Sequence, residues 1–211
     1  MRNVLLFVWL LIPVAIGAYH YGPGQDRVRA DRAAAAVERA EGAAREAREI
    51  AAKSGDDAAR SSWAEAEEAY GEALELLPQG RVEEGRALRL ERAKAQMFVG
   101  KMPDARHDLA ALVEEISSDA SSSPKLVSDA RAALANAEYY TTWLMRLEGA
   151  SREDWEPEIE AARQNYRLLA EEAAKSGDAK LAAATQEDLE SAVRLARMDL
   201  GELQGLPLPS Q

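Results

Sequence analysis

Apolar residues recur along most of this chain at alternating spacings of three and four, the signature of amphipathic helices. Ala33, Val37, Ala40, Ala44, Ala47 and Ala51 form the first such stripe, and it is built almost wholly of alanine. Trp63, Ala66, Tyr70, Ala73 and Leu77 form the second, ended by Pro78. Ser62 and Glu65 in "SWAE" stand at capping-box spacing and are read as the start of its regular part. A third helix is expected over about 81–99, with Leu88, Ala95, Phe98 and Val99 inward. "GKMPD" (100–104) turns the chain into a fourth helix carrying Ala105, Leu109, Leu112 and Ile116. The polar loop 117–124 precedes a fifth stripe of Leu126, Ala130, Ala133, Ala137, Tyr140, Leu144 and Leu147. Trp155, Ile159, Ala162, Tyr166, Leu169 and Ala173 mark the sixth, and Leu189, Val193, Ala196, Leu200 and Leu203 the seventh, stopped by Gly205. No stretch shows the strict alternation of a half-buried strand. The expected fold class is therefore all-α, with short turns making successive helices antiparallel.

The hexapeptide "AAKSGD" occurs at Ala51–Asp56 and again at Ala173–Asp178. Ala-Ala-Lys suits a last helical turn, with a cation at its negative end. Gly55 or Gly177 suits the left-handed residue that ends a helix, and Asp56 or Asp178 the N-cap of the next. The expectation is one stop-and-start instruction used at two hairpins.

One segment breaks the amphipathic pattern. Residues 4–21, "VLLFVWLLIPVAIGAYHY", contain no Asp, Glu, Lys or Arg. Their length falls within the roughly 17–25 residues of a membrane-spanning helix. Tyr19 and Tyr21 sit where interfacial aromatics belong, and Gly22–Gly24 closes the segment. An uncleaved anchor over residues 1–24 is preferred to a cleaved signal peptide, for which "AIGA" (15–18) offers small residues. The expected location is the cell membrane, crossed once. Arg27, Arg29, Arg32 and Arg39 after the segment and Arg2 before it leave the side of the soluble part open. Residues 25–205 form the helical domain and 206–211, "LPLPSQ", a flexible tail.

The net charge is −11, and Arg2 is the only charged side chain in residues 1–24, so the acidity belongs to the rest of the chain. That balance repels phosphate backbones and argues against nucleic-acid binding. There is no cysteine, which excludes disulfides and thiolate chemistry. Arginine, at 20 residues against 6 lysines, hints at a GC-rich bacterial genome. The two histidines, His20 and His107, have no His or Cys neighbour to complete a metal site. Glu65, Glu67, Glu68, Glu72 and Glu75 read as a solvated helix face. No phosphate-binding glycine loop, nucleophile motif or haem or zinc signature is present. No catalytic residue, cofactor or metal is expected, and the chain is read as a non-enzyme.

Trp63, Ala66, Tyr70, Ala73 and Pro78 stand at offsets that resemble the second helix of a tetratricopeptide repeat. Ala93–Ile116, with Ala93, Gly100, Ala105, Leu109 and Leu112, resembles a second repeat that lacks the final proline, Ser117 standing there. The first repeat departs too, since "DAARSS" intervenes between its turn and Trp63. The resemblance covers about 61–117; the last three helices keep hairpin spacing without the signature. It implies a short solenoid whose groove holds proteins or peptides. Bacterial proteins joining one N-terminal membrane helix to such a domain often assemble envelope complexes. On that basis Arg89, Arg92, Gln96 and Tyr139 are the expected groove residues. Tyr139, Tyr140 and Trp143 cannot share one helical face, so one or two are expected at the surface. The alternative is a self-associating helical bundle, with the Ala33–Ala51 seam joining copies into a homo-oligomer.

Overall fold

The computed structural model describes residues 23–199 and 201–203, together with Trp9. Among these residues the chain is all-α, with seven helices over residues 23–197 and no strand: α1 (Pro23–Ser54), α2 (Asp56–Leu76), α3 (Val82–Phe98), α4 (Met102–Ser118), α5 (Pro124–Leu147), α6 (Arg152–Ser176) and α7 (Ala179–Arg197). Seven helices match the sequence expectation. The apolar run 4–21 (Trp9 apart), His20, Leu200, Gly205 and the tail 206–211 lie outside the described residues. No helix among the described residues is long and apolar enough to cross a membrane. The chain divides into two compact units, 1–88 and 89–211, with the boundary inside α3.

The first unit is dominated by the α1–α2 hairpin. Ala33, Ala36, Ala40, Ala43, Ala44 and Ala47 are buried on α1, and Ala59, Ser62, Ala66, Ala69 and Ala73 on α2. Both sets follow a spacing close to 3.5, that of a two-helix seam. Small side chains let the backbones approach closely, while Trp63 and Tyr70 fill the flanks at 6% and 4% exposure. Two cross-helix contacts fix the register. Arg39 Nη2 donates to Glu72 Oε2 at 2.6 Å, and the Arg48 guanidinium lies 5.9 Å from the Trp63 ring centroid. Each pair is equidistant from the Gly55–Asp56 turn, as an antiparallel hairpin requires. α1 is longer than α2, and Gln25–Arg29 at its start are all exposed.

The two copies of "AAKSGD" behave differently. Gly177 is left-handed (φ 77°, ψ 1°), and Asp178 Oδ1 accepts from the backbone N–H groups of Lys180 and Leu181 at 2.9 and 3.1 Å. That matches expectation. Gly55 has φ 87° but an extended ψ of 166°, and Asp56 is already helical, without a capping role. α2 thus begins six residues before Ser62, which is buried mid-helix and caps nothing. The cause is packing. Ala59, fully buried one turn after Gly55, extends the alanine seam to the hairpin end, so the intervening "DAARSS" is helix rather than loop. No such seam reaches the start of α7, and there the aspartate caps.

The second unit is arranged around α5. One of its faces packs Ala130, Ala133, Leu134 and Ala137 with Leu90 and Ala93 of α3 and Leu109, Leu112 and Ile116 of α4. The other packs Ala135 and Tyr139 with Ile159, Ala162, Tyr166 and Leu169 of α6 and Ala192 and Leu195 of α7. At 100° per residue, Tyr139 points roughly opposite to Ala137. This double burial corrects two expectations. Tyr139 and Tyr140 are both buried, with rings edge-on at 5.9 Å, and Trp143 is half-buried. Leu144 and Leu147, expected inward, are 39% and 38% exposed, because the inward face has rotated to Thr142 and Arg146. The same rotation affects α7, where Ala192 and Leu195 are buried and Leu189, Val193 and Ala196 stand at the margin. α6 keeps the expected face in full from Ile159 to Ala173.

Enlarging a seam residue tests the close approach of α1 and α2. Ala66→Leu is expected to lower unfolding stability by about 1–3 kcal/mol in a urea titration. Ala34→Leu, on the exposed face of α1, is expected to stay within about 0.5 kcal/mol.

Candidate functional site

The expected groove residues do not meet on one surface. Arg89, Arg92 and Gln96 do share a face of α3, being spaced by three and four residues. Arg89 is half-buried, and its Nη1 donates to Glu115 Oε2 of α4 at 2.5 Å. Arg92 is also half-buried. Gln96 is 3% exposed, and its Oε1 has no donor. Tyr139 is 2% exposed, inside the α5–α6–α7 core rather than beside α3. Gln96 and Tyr139 are thus packing residues in this conformation, and the accessible part of the α3 face is carried by Arg89 and Arg92.

His107 is exposed, as a solvated helix residue should be. Glu65, Glu68, Glu72 and Glu75 are exposed along α2, while Glu67 is buried. Among the described residues no three His, Cys, Asp or Glu side chains converge as metal ligands do.

A polar network that apolar periodicity does not show runs through the second unit. Glu138, 5% exposed on α5, accepts a hydrogen bond from Asn165 Nδ2 of α6 at 2.9 Å. Burial, which disfavours the charged form, pushes its carboxyl up to about 7; the Asn165 hydrogen bond and the Arg106 charge oppose this, and the Glu158 charge adds to it. Tyr166 OH donates to Asn136 Oδ1 at 2.6 Å, and burial followed by the Asp188 charge drives that phenol above its ordinary range. Arg106 of α4 donates from Nε to Glu158 Oε2 of α6 at 2.5 Å. Arg131 of α5 donates to Glu172 of α6 at 2.8 Å. Arg146, 6% exposed, donates to the carbonyls of Leu195 and Met198 (2.5 Å to the latter) while its guanidinium lies 4.7 Å over the Trp155 ring. Those carbonyls end α7, where the helix dipole is negative and the backbone acceptors lack partners. Arg146 is therefore a latch that closes α7 onto α5.

Two of these contacts carry the same offset. Arg106 to Glu158 and Arg146 to Met198 both span 52 residues, joining α4 to α6 and α5 to the end of α7. Helices of the second unit so meet both a neighbour and the helix after it.

No family model, curated protein or solved structure matches this chain. The functional reading therefore rests on the residues themselves.

A signal for the network does exist in the sequence. Between Ala132 and Trp143 the only charged residue is Glu138. A helix with no polar face is buried all round, and a lone carboxylate in it has no water to face. Arg146 gives no comparable signal, since its target is a backbone terminus 49–52 residues away.

The Glu138 carboxyl links stability to pH. Its folded value, about 7, lies above the unfolded 4.5. The folded state therefore holds the proton more tightly, so stability is greatest below the unfolded value and falls as pH rises through 7. The loss approaches about 3 kcal/mol above pH 8. Glu138→Gln is expected to remove most of that decline in urea titrations between pH 5 and pH 8. Wild-type and variant curves that stay parallel over this range would show that Glu138 does not carry it.

Proposed function

We propose that this chain is a membrane-tethered helical scaffold that binds other proteins. The observation that carries the reading is that α4 meets α6 through Arg106 and Glu158, and α5 meets the end of α7 through Arg146, so each of these helices reaches past its neighbour to the next. Hairpins stacked in this way expose a long ridged surface and leave few deep cavities, a geometry suited to holding a partner segment rather than enclosing a small substrate. The resemblance of 61–117 to tetratricopeptide repeats supports the same role. Trp63, Ala66, Tyr70 and Ala73 form one buried face of α2, and Ala105, Leu109 and Leu112 one buried face of α4, as that packing scheme asks.

The tether is residues 4–21. Trp9, the described residue of that run, is helical and 73% exposed. Confinement to the membrane raises the local concentration of partners held there. A bacterial envelope complex is the setting that this layout suggests. The self-associating bundle is the weaker reading. Its proposed contact, the Ala33–Ala51 seam, is covered from Ala33 to Ala47 within the chain and opposes α2.

Two outcomes are expected. The full chain should stay with the membrane pellet through alkaline carbonate washing, and residues 25–211 should be soluble. Recovery of 25–211 in the washed pellet would contradict the tether. In detergent extract, Arg89→Glu with Arg92→Glu should reduce the recovery of co-purifying proteins at least about tenfold, the scale of one lost charge-assisted contact. Unchanged recovery, with an unchanged melting temperature, would contradict the α3 face as the binding surface.

A further inference from the structure

A half-open cavity of about 250 Å³ lies between α6 and α7, lined by Glu160, Arg163, Gln164, Arg167, Leu189 and Val193. It is separate from the α3 face and from the Glu138 network. Its floor is apolar: Leu189 packs against the α5–α6–α7 core, and Val193 stands one turn further along α7, half-buried. Its rim carries two arginines, Arg163 and Arg167, against one carboxylate, Glu160, on a chain of net charge −11. Arg163 and Arg167 are one turn apart on α6, so both guanidinium groups lie along the same wall.

Local carboxylates leave these arginines incompletely matched. Glu160 Oε1 accepts from Arg163 Nη1 at 2.5 Å. Arg163 Nε, by contrast, is buried and finds no acceptor in the protein. Arg167 has only a loose contact with Glu171, at 3.8 Å, and its side chain is 56% exposed. The groove therefore offers two cations one turn apart, each side chain partly exposed, and an apolar floor between helices.

We propose that this groove binds an acidic peptide segment of a partner protein, one with a carboxylate beside an aliphatic side chain. The carboxylate pairs with the Arg167 guanidinium and the exposed part of the Arg163 guanidinium, and the aliphatic side chain lies on Leu189 and Val193. The Gln164 amide, exposed on the same wall, is placed to pair with the peptide backbone. A bare anion satisfies the arginines and leaves the apolar floor uncovered; an uncharged peptide does the reverse. The inference rests on the scaffold reading and assigns it a second surface with a stated partner chemistry.

The test uses the full chain in detergent and a fluorescein-labelled peptide with a Glu-Leu-Asp-Leu core between Gly and Ser, read by fluorescence anisotropy. A matched peptide with a Gln-Leu-Asn-Leu core is the control. The acidic peptide is expected to bind at least about tenfold more tightly than the control, with affinity falling as salt rises. Arg163→Gln with Arg167→Gln should reduce that preference at least about tenfold, while Arg152→Gln, at the start of α6, should leave it unchanged. Circular dichroism melting keeps loss of folding apart from loss of binding. Equal binding of the two peptides, or an undiminished preference in the double variant, overturns the proposal. If peptide binding fails while protein recovery still depends on Arg89 and Arg92, this groove is refuted and the scaffold reading stands.

Discussion

Burial of α5 on both sides constrains the rest of the second unit. A helix normally keeps one polar stripe for water. α5 gives that stripe up between Ala130 and Tyr140, and two layers, α3–α4 and α6–α7, close over it. Small residues make this feasible: Ala130, Ala133, Ala135 and Ala137 let neighbours approach from both directions, and Tyr139 and Tyr140 occupy the remaining volume. The cost is polar. Glu138 has no solvent to face and must take Asn165 as partner, and Arg146 must find acceptors at the end of α7. Most of the buried polar network results from that enclosure.

The first unit applies the same rule with different results. Its alanines lie on one stripe per helix, so α1 and α2 form a two-helix seam with charged outer faces. The contacts that set its register, Arg39 with Glu72 and Arg48 with Trp63, are at its edge rather than in its core. The exposed Arg39–Glu72 ion pair adds little stability, commonly below about 1 kcal/mol. The two contacts choose among registers that a uniform alanine seam would otherwise leave nearly equivalent.

Sequence pattern makes the helices legible, because each carries at least one apolar stripe and is bounded by Gly, Pro or a polar loop. α6 is the clearest case: every expected inward residue from Ile159 to Ala173 is buried. The pattern misleads where a helix has two buried faces. A single stripe drawn through α5 ends at Leu144 and Leu147, whereas the structure buries Thr142 and Arg146. Periodicity weighs hydrophobicity, and it cannot anticipate an arginine drawn inward by backbone carbonyls on another helix. The start of α2 is hidden for a related reason: Gly55 permits several turns, and the buried Ala59 selects the tight one. Of the four expected groove residues, Arg89 and Arg92 keep partial exposure, although Ala93 and Gln96 beside them on α3 are buried. Tyr139 belongs to an aromatic cluster that a one-stripe helix would have to leave partly outside, and only the second buried face of α5 gives it a place. The α6–α7 groove is not legible in the sequence, since it depends on two helices meeting at Leu189 and Val193.

The enclosure of α5 is tested most directly by native-state hydrogen exchange resolved along the chain. Amides buried on both sides exchange only through large-scale opening. The prediction is that residues 130–142 of α5 are the slowest in the second unit. Residues 179–188 of α7, most of which are exposed, should exchange much faster. Exchange of α5 at the rate of the α7 start would contradict burial of α5 on both sides.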